Sequence, residues 1–183
     1  EDFCQRLLLP AAEPFHGLID ALEGYNEIAF TQFKTPTSSL LARLRSNSIR
    51  SDLFSVAREE MQRYALFERT RSQLLAEEGW QSVVGNFSAG TPELELWPDF
   101  YPALEAGAYL GLHEYSANTQ PPFMSNLDTW LCRRYQRVYE RLPAHLQRPL
   151  IITECGIDGG MLGHAQEGWK RYTDVPGYLS DLQ

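Results

Sequence analysis

The sequence predicts an α/β fold built on a parallel sheet, and three observations carry that expectation. Apolar runs of strand length (17–24, 81–90, 108–116 and 149–156) alternate with stretches of helical periodicity (56–79, 97–107, 127–142 and about 167–182). The run "PLIITECG" lacks the polar alternation of a half-exposed strand and reads as one buried on both faces, as parallel sheets require. Four βα units, spaced by about 40 residues after a long first connection, fill the chain, which is half of an eight-fold barrel.

Each element has its own signal. "GLIDALEG" is a short apolar run closed by glycine, the form of a buried strand. In the first helix Met61, Tyr64, Ala65, Leu74 and Leu75 form one apolar stripe, and Gly79 ends it. "QSVVGNFSAG" is strand and turn. Trp97, Phe100, Tyr101 and Leu104 then repeat at helical spacing, and "AYLGLHEYS" is strand again. Leu131, Tyr135, Val138 and Leu142 recur at intervals of four, three and four, a clear helical period. The last helix is interrupted by Pro176 and Gly177. The chain is read as a single domain, 1–183, with one irregular stretch. Residues 28–55 hold nine Ser/Thr and mostly basic charge without strong periodicity, and are expected to be an insertion or a disordered segment.

Composition narrows the function. A net charge of −8 gives no nucleic-acid footprint. No apolar run has the length of a membrane span. The acidic start "EDFCQRLLLP" lacks the basic front of a signal peptide. Cys4, Cys132 and Cys155 have neither disulfide-scaffold nor zinc-finger spacing.

The polar residues fall where barrel chemistry is built. Asn26 and Glu27 end the first strand and Asn86 and Ser88 the second. His113, Glu114 and Tyr115 end the third, and Glu154 the fourth. Loops at the carboxyl ends of barrel strands converge over an active site. Two glutamates on strands three βα units apart are the couple that glycoside hydrolysis needs. One protonates the leaving oxygen, and the other attacks the anomeric carbon or activates water. Alternation along the strands places His113 and Tyr115 on one face and Glu114 on the other, and pairs Ile152 with Glu154 while Cys155 points away. Glu114 is thus expected to be a supporting acid, and Cys155 a packing residue. The glycine-rich "GIDGGMLG" lacks a phosphate-loop lysine and is read as a close turn over the site, with Asp158 as a substrate contact.

These motifs together resemble the clan A glycoside hydrolases, a cellulase-like superfamily of retaining β-glycosidases on (β/α)8 TIM barrels. Asn26-Glu27 is similar to the Asn-Glu pair that ends strand four there. His113-Glu114-Tyr115 resembles the His-x-Tyr of strand six, and Glu154 in "IITECG" the nucleophile of strand seven. The resemblance implies a partial barrel, strands 4 to 7, acting on an oligo- or polysaccharide without a cofactor. It implies Glu27 as acid/base and Glu154 as nucleophile, with Tyr115 hydrogen-bonding the nucleophile and His113 positioning; Asn26, Asn86 and Asp158 are read as substrate contacts by their place at the strand ends. It also implies that the remaining barrel comes from a missing half-barrel or an oligomer partner. Two other readings stand beside it. One is an inactive barrel fragment serving as a carbohydrate-binding or interaction module. The other is a metal-dependent hydrolase using His113, Glu114, Glu154 and His16, for which no metal motif spacing speaks.

Overall fold

The apolar runs at 81–90, 108–116 and 149–156 form strands where β-branched and aromatic residues cluster. The computed structural model describes residues 2–27, 47–116, 131–157 and 168–181. Most of the 28–55 connection, positions 127–130 of the expected third helix, and Asp158 lie outside the described residues.

The four strands are β1 (Ala21–Glu23), β2 (Gln81–Phe87), β3 (Tyr109–Ser116) and β4 (Leu150–Ile157). They lie in the order β1-β2-β3-β4, every pair parallel, in a sheet curled into half a barrel. The helices are α1 (Leu9–Ala12), entered through a π turn at Cys4–Leu8, then α2 (Asn47–Glu77) and α3 (Trp97–Ala106). They continue with α4 (Arg134–Arg141) and α5 (Val175–Asp181).

Several expectations shift. The first strand is shorter than 17–24, because the chain turns at Gly17 and pairs with β2 only from Ala21. Helix α2 is described from Asn47, so 47–55 is helical. Its end falls as expected: Trp80 N–H donates to Leu75 O at 2.8 Å and Gly79 N–H to Ala76 O at 3.1 Å. Gly79 takes the left-handed φ of 80° that this helix stop requires. The final helix is broken, with a 3-10 turn at Trp169–Arg171 before α5. β4 is half-exposed along most of its length, whereas β2 and β3 are buried on both faces. Among the described residues β4 has one neighbouring strand, and an outer strand covers less of its surface.

The core lies between the sheet and the helices. Met61, Tyr64 and Ala65 of α2 and Trp97, Phe100 and Leu104 of α3 meet Val84, Phe87, Leu110 and Leu112 of the sheet. Tyr64, Phe87, Trp97 and Phe100 pack ring against ring, with Phe87 and Phe100 at 4.9 Å between centroids. Burying one such side chain contributes about 1.5–3 kcal/mol. Trp97, which has helical spacing, is therefore a core residue. Arg58 and Gln62 of α2 hold Asp99 at the start of α3 through three hydrogen bonds. Burial opposes the charge on Asp99, but these donors keep its carboxyl below the ordinary value.

A buried ion pair fastens α2 to the first two strands. Arg71 and Glu68 are both fully buried, with Arg71 Nη2 2.8 Å from Glu68 Oε2. Arg71 also donates to Leu22 O of β1 at 3.2 Å and to Val83 O of β2 at 2.6 Å.

Candidate active site

The carboxyl ends of the strands bring four of the expected residues together. The chain leaves β1 through Gly24, where a side chain would strike the buried Glu68–Arg71 pair. Tyr25 then packs between Phe3 and Phe67. Glu27 follows at φ 50°, a left-handed backbone that costs a glutamate roughly 1–2 kcal/mol. Its N–H donates to Asn86 O at 3.1 Å, which ties the end of this turn to β2.

Two β-bulges shape the other strands. Across β2 and β3, Gly85 pairs with Gly111 and Phe87 with Leu112, leaving Asn86 as the extra residue. Gly85 has φ 103° and Asn86 φ 48°. Glycine and asparagine tolerate these left-handed angles best. Across β3 and β4, Leu112 pairs with Ile152 and His113 with Glu154, so Thr153 is the extra residue there. A bulge of this kind re-aims the side chain that follows it.

This second bulge corrects strict alternation. Ile152 packs on the helix-side core with Leu112, while Glu154 lies beside His113 and Tyr115. The two residues do not share a face. Cys155, expected to be a packing residue, is instead exposed, with Sγ 3.7 Å from the Tyr178 hydroxyl.

His113 is the centre of the cluster. Its side chain is fully buried, and Nδ1 lies 3.0 Å from Glu27 Oε1 and 3.6 Å from Glu154 Oε2. Against the Glu27 carboxylate the imidazole presents N–H at Nδ1 and donates to it, while Glu154 Oε2 lies beyond hydrogen-bond distance of that proton. Among the described residues His113 Nε2 has no hydrogen-bond partner. Tyr115 donates its hydroxyl to Glu154 Oε2 at 3.0 Å. Burial, together with the hydrogen bond and charge of Glu154, pushes the Tyr115 phenol up to about 12. Gly156 makes room for that ring, since a Cβ there would sit 2.9 Å from Tyr115 Cε1. Glu27 and Glu154 keep 44% and 36% of their side chains exposed, so both acids are open to a ligand while the histidine beneath them is not.

One oxygen of each glutamate and Nδ1 of His113 lie within 4.8 Å of one another. These three atoms are also a donor set that would accept a divalent cation. The other residues weighed for a metal lie elsewhere. Glu114 turns to the opposite side, accepting N–H bonds from Arg133 at 2.8 Å and Tyr135 at 3.3 Å. His16 packs edge-on against Trp80 before the amino end of β2. Asn26 is exposed beside Glu27, and Asn86 is fully buried, with its side-chain Oδ1 accepting the Thr153 hydroxyl at 3.1 Å. Neither the place of Thr153 as the extra residue of a bulge nor the burial of the Glu68–Arg71 pair is legible in the sequence. The bulge at Thr153 has no composition signal. The Glu-x-x-Arg spacing at 68–71 was visible on the helix, but not its burial.

Fold and site together define a class: a parallel α/β half-barrel with a pair of carboxylates at the carboxyl ends of its strands. Comparison with protein-family models, curated proteins and solved structures finds no match. No helix among the described residues is long and apolar enough to cross a membrane.

Proposed function

We propose that this chain carries the catalytic couple of a retaining β-glycosidase, with Glu154 as nucleophile and Glu27 as acid/base. The observation that carries the reading is the Glu27–Glu154 approach, with carboxylate oxygens inside 4.8 Å at the strand ends. Retaining enzymes hold their two carboxyl groups about 5–5.5 Å apart, whereas inverting enzymes leave about 6.5–9.5 Å for a water.

In this mechanism Glu154 attacks the anomeric carbon as the glycosidic bond breaks, and Glu27 gives its proton to the departing oxygen. Glu27 then takes a proton from water, whose oxygen displaces Glu154 and restores both acids. The Tyr115 hydroxyl holds one oxygen of Glu154, which orients the other for attack. His113, buried beneath both acids, keeps them converged. Asn26, exposed beside Glu27, and Asp158 complete the proposed substrate contacts, and the substrate class is an oligo- or polysaccharide with β-linkages.

The test is mechanism-based labelling with 2-deoxy-2-fluoro-β-glycosides that carry an activated aryl leaving group, followed by peptide mass mapping. The expected result is a glycosyl adduct on Glu154, absent in Glu154→Gln. Glu27→Gln should still be labelled but lose about 10²–10⁴-fold in turnover of substrates with poor leaving groups. No adduct and no turnover across gluco, galacto, manno and xylo probes would sink the reading. Hydrolysis abolished by a chelator and restored by a divalent cation would replace it with metal-assisted chemistry at the same three residues.

A further inference from the structure

Asn86 links the two segments that carry the acids. Its main-chain oxygen accepts the Glu27 N–H, and its side-chain Oδ1 accepts the hydroxyl of Thr153, each at 3.1 Å. Thr153 is the extra residue of the β4 bulge and directly precedes Glu154. Strand β3 lies between β2 and β4, and the Asn86 amide passes over it at Gly111, where a Cβ would collide with Oδ1. The left-handed backbone at φ 48° lifts Asn86 out of the register of its own strand. Without that bulge, alternation would place position 86 on the same face as Val84, toward the helices.

Resting on the reading of Glu27 and Glu154 as a catalytic couple, we propose that Asn86 is a positioning residue that sets the separation of the two carboxylates. Its main-chain carbonyl holds the Glu27 backbone, and its side-chain carbonyl, through Thr153, holds the bulge that aims Glu154. Full burial leaves it no surface for a sugar hydroxyl, so its place is behind the acids and not at the substrate. Double displacement requires both acids at one anomeric carbon, and a displacement of about 1 Å can cost on the order of 100-fold in rate.

Three variants separate this role from simple packing. Thr153→Val removes the hydroxyl donor at nearly constant volume, and Thr153→Ser keeps it. Asn86→Gly keeps the left-handed backbone and the main-chain acceptor but removes the amide. The first measurement is the Glu27–Glu154 carboxylate separation in crystal structures of the wild type and both Thr153 variants. Valine should widen it by about 1 Å, and serine should leave it unchanged.

The second measurement is kcat and KM on an aryl β-glycoside. Thr153→Val and Asn86→Gly should each lose about 10- to 100-fold in kcat, with KM within about twofold. Their combination should lose no more than either alone, because both break one link. A purely structural role would lower Tm but leave the separation and the kcat of the folded protein alone. An unchanged separation in Thr153→Val overturns the proposal, whether or not the wild type turns over. Should that variant fail to fold, Asn86→Gly carries the same separation measurement. A wild type that is neither active nor labelled, combined with a widened separation in Thr153→Val, overturns the glycosidase reading and leaves the positioning role of Asn86 standing.

Discussion

Tyr115 shows how one side chain can be set for a single task. Burial and the neighbouring Glu154 charge both disfavour the phenolate, so the hydroxyl stays a donor through the neutral and mildly alkaline range. Tyr115→Phe removes one hydrogen bond to Glu154 and leaves the ring over Gly156. The expected result is a fall of about 10- to 100-fold in kcat with little change in KM, read from steady-state kinetics of the labelled-site substrate. The wild type's alkaline limb should not move in the variant, because Tyr115 does not titrate there. Strand alternation places His113 and Tyr115 on one face, and the structure agrees, since both reach the acids. It fails on the adjacent strand, at Ile152 and Glu154. Alternation is a property of an unbroken strand, and the inserted Thr153 resets its phase.

At the scale of elements, Glu114 explains why α4 starts where it does. The carboxylate comes from β3, on the face opposite His113, and accepts the first N–H groups of the helix from Arg133 and Tyr135. Arg133 itself is left-handed at φ 57° and offers no side-chain cap. An acid on a neighbouring strand thus does what a Ser or Asp does at an ordinary helix start. Glu114→Ala should lower stability by about 1–2 kcal/mol in denaturant unfolding. Glu114→Gln keeps an acceptor and should cost less. Burial raises the Glu114 carboxyl above its ordinary value, although the N–H groups pull the other way. The folded state therefore holds that proton more tightly than the unfolded chain. The stability tied to this group is largest below the ordinary glutamate range and declines as pH rises through the raised value. Measured from about pH 4 to 7, Glu114→Gln should gain on the wild type with rising pH. A difference that moves the other way would refute the assignment. The acid was legible in the sequence as one facing away from His113. That it caps a helix was not, since its partners lie in another element.

For the whole molecule, the Glu68–Arg71 pair decides whether the first strand joins the sheet. β1 has only three residues, too few hydrogen bonds to hold it, and Arg71 adds a bond to each of β1 and β2. Burial raises the Glu68 carboxyl, and Arg71 opposes that rise. Arg71→Met would leave the acid buried without its cation, and should cost about 3–5 kcal/mol in chemical unfolding. The double change Glu68→Leu with Arg71→Met should recover part of that loss. No recovery would mean that the bonds to Leu22 and Val83 dominate. Because Glu27 follows β1, the single change should also weaken labelling of the site in the fraction that folds.

The sequence by itself determined the order of strands and helices, the parallel sheet and the location of the acids at strand ends. These follow from local period and from where apolar runs stop, which a chain displays without folding. Only the tertiary structure decided that Glu154 turns toward His113, that Asn86 reaches across Gly111 to Thr153, and that Glu68 and Arg71 are buried together. Each depends on register or contact between segments distant in the chain, and a bulge of one residue is enough to send a side chain to the other face.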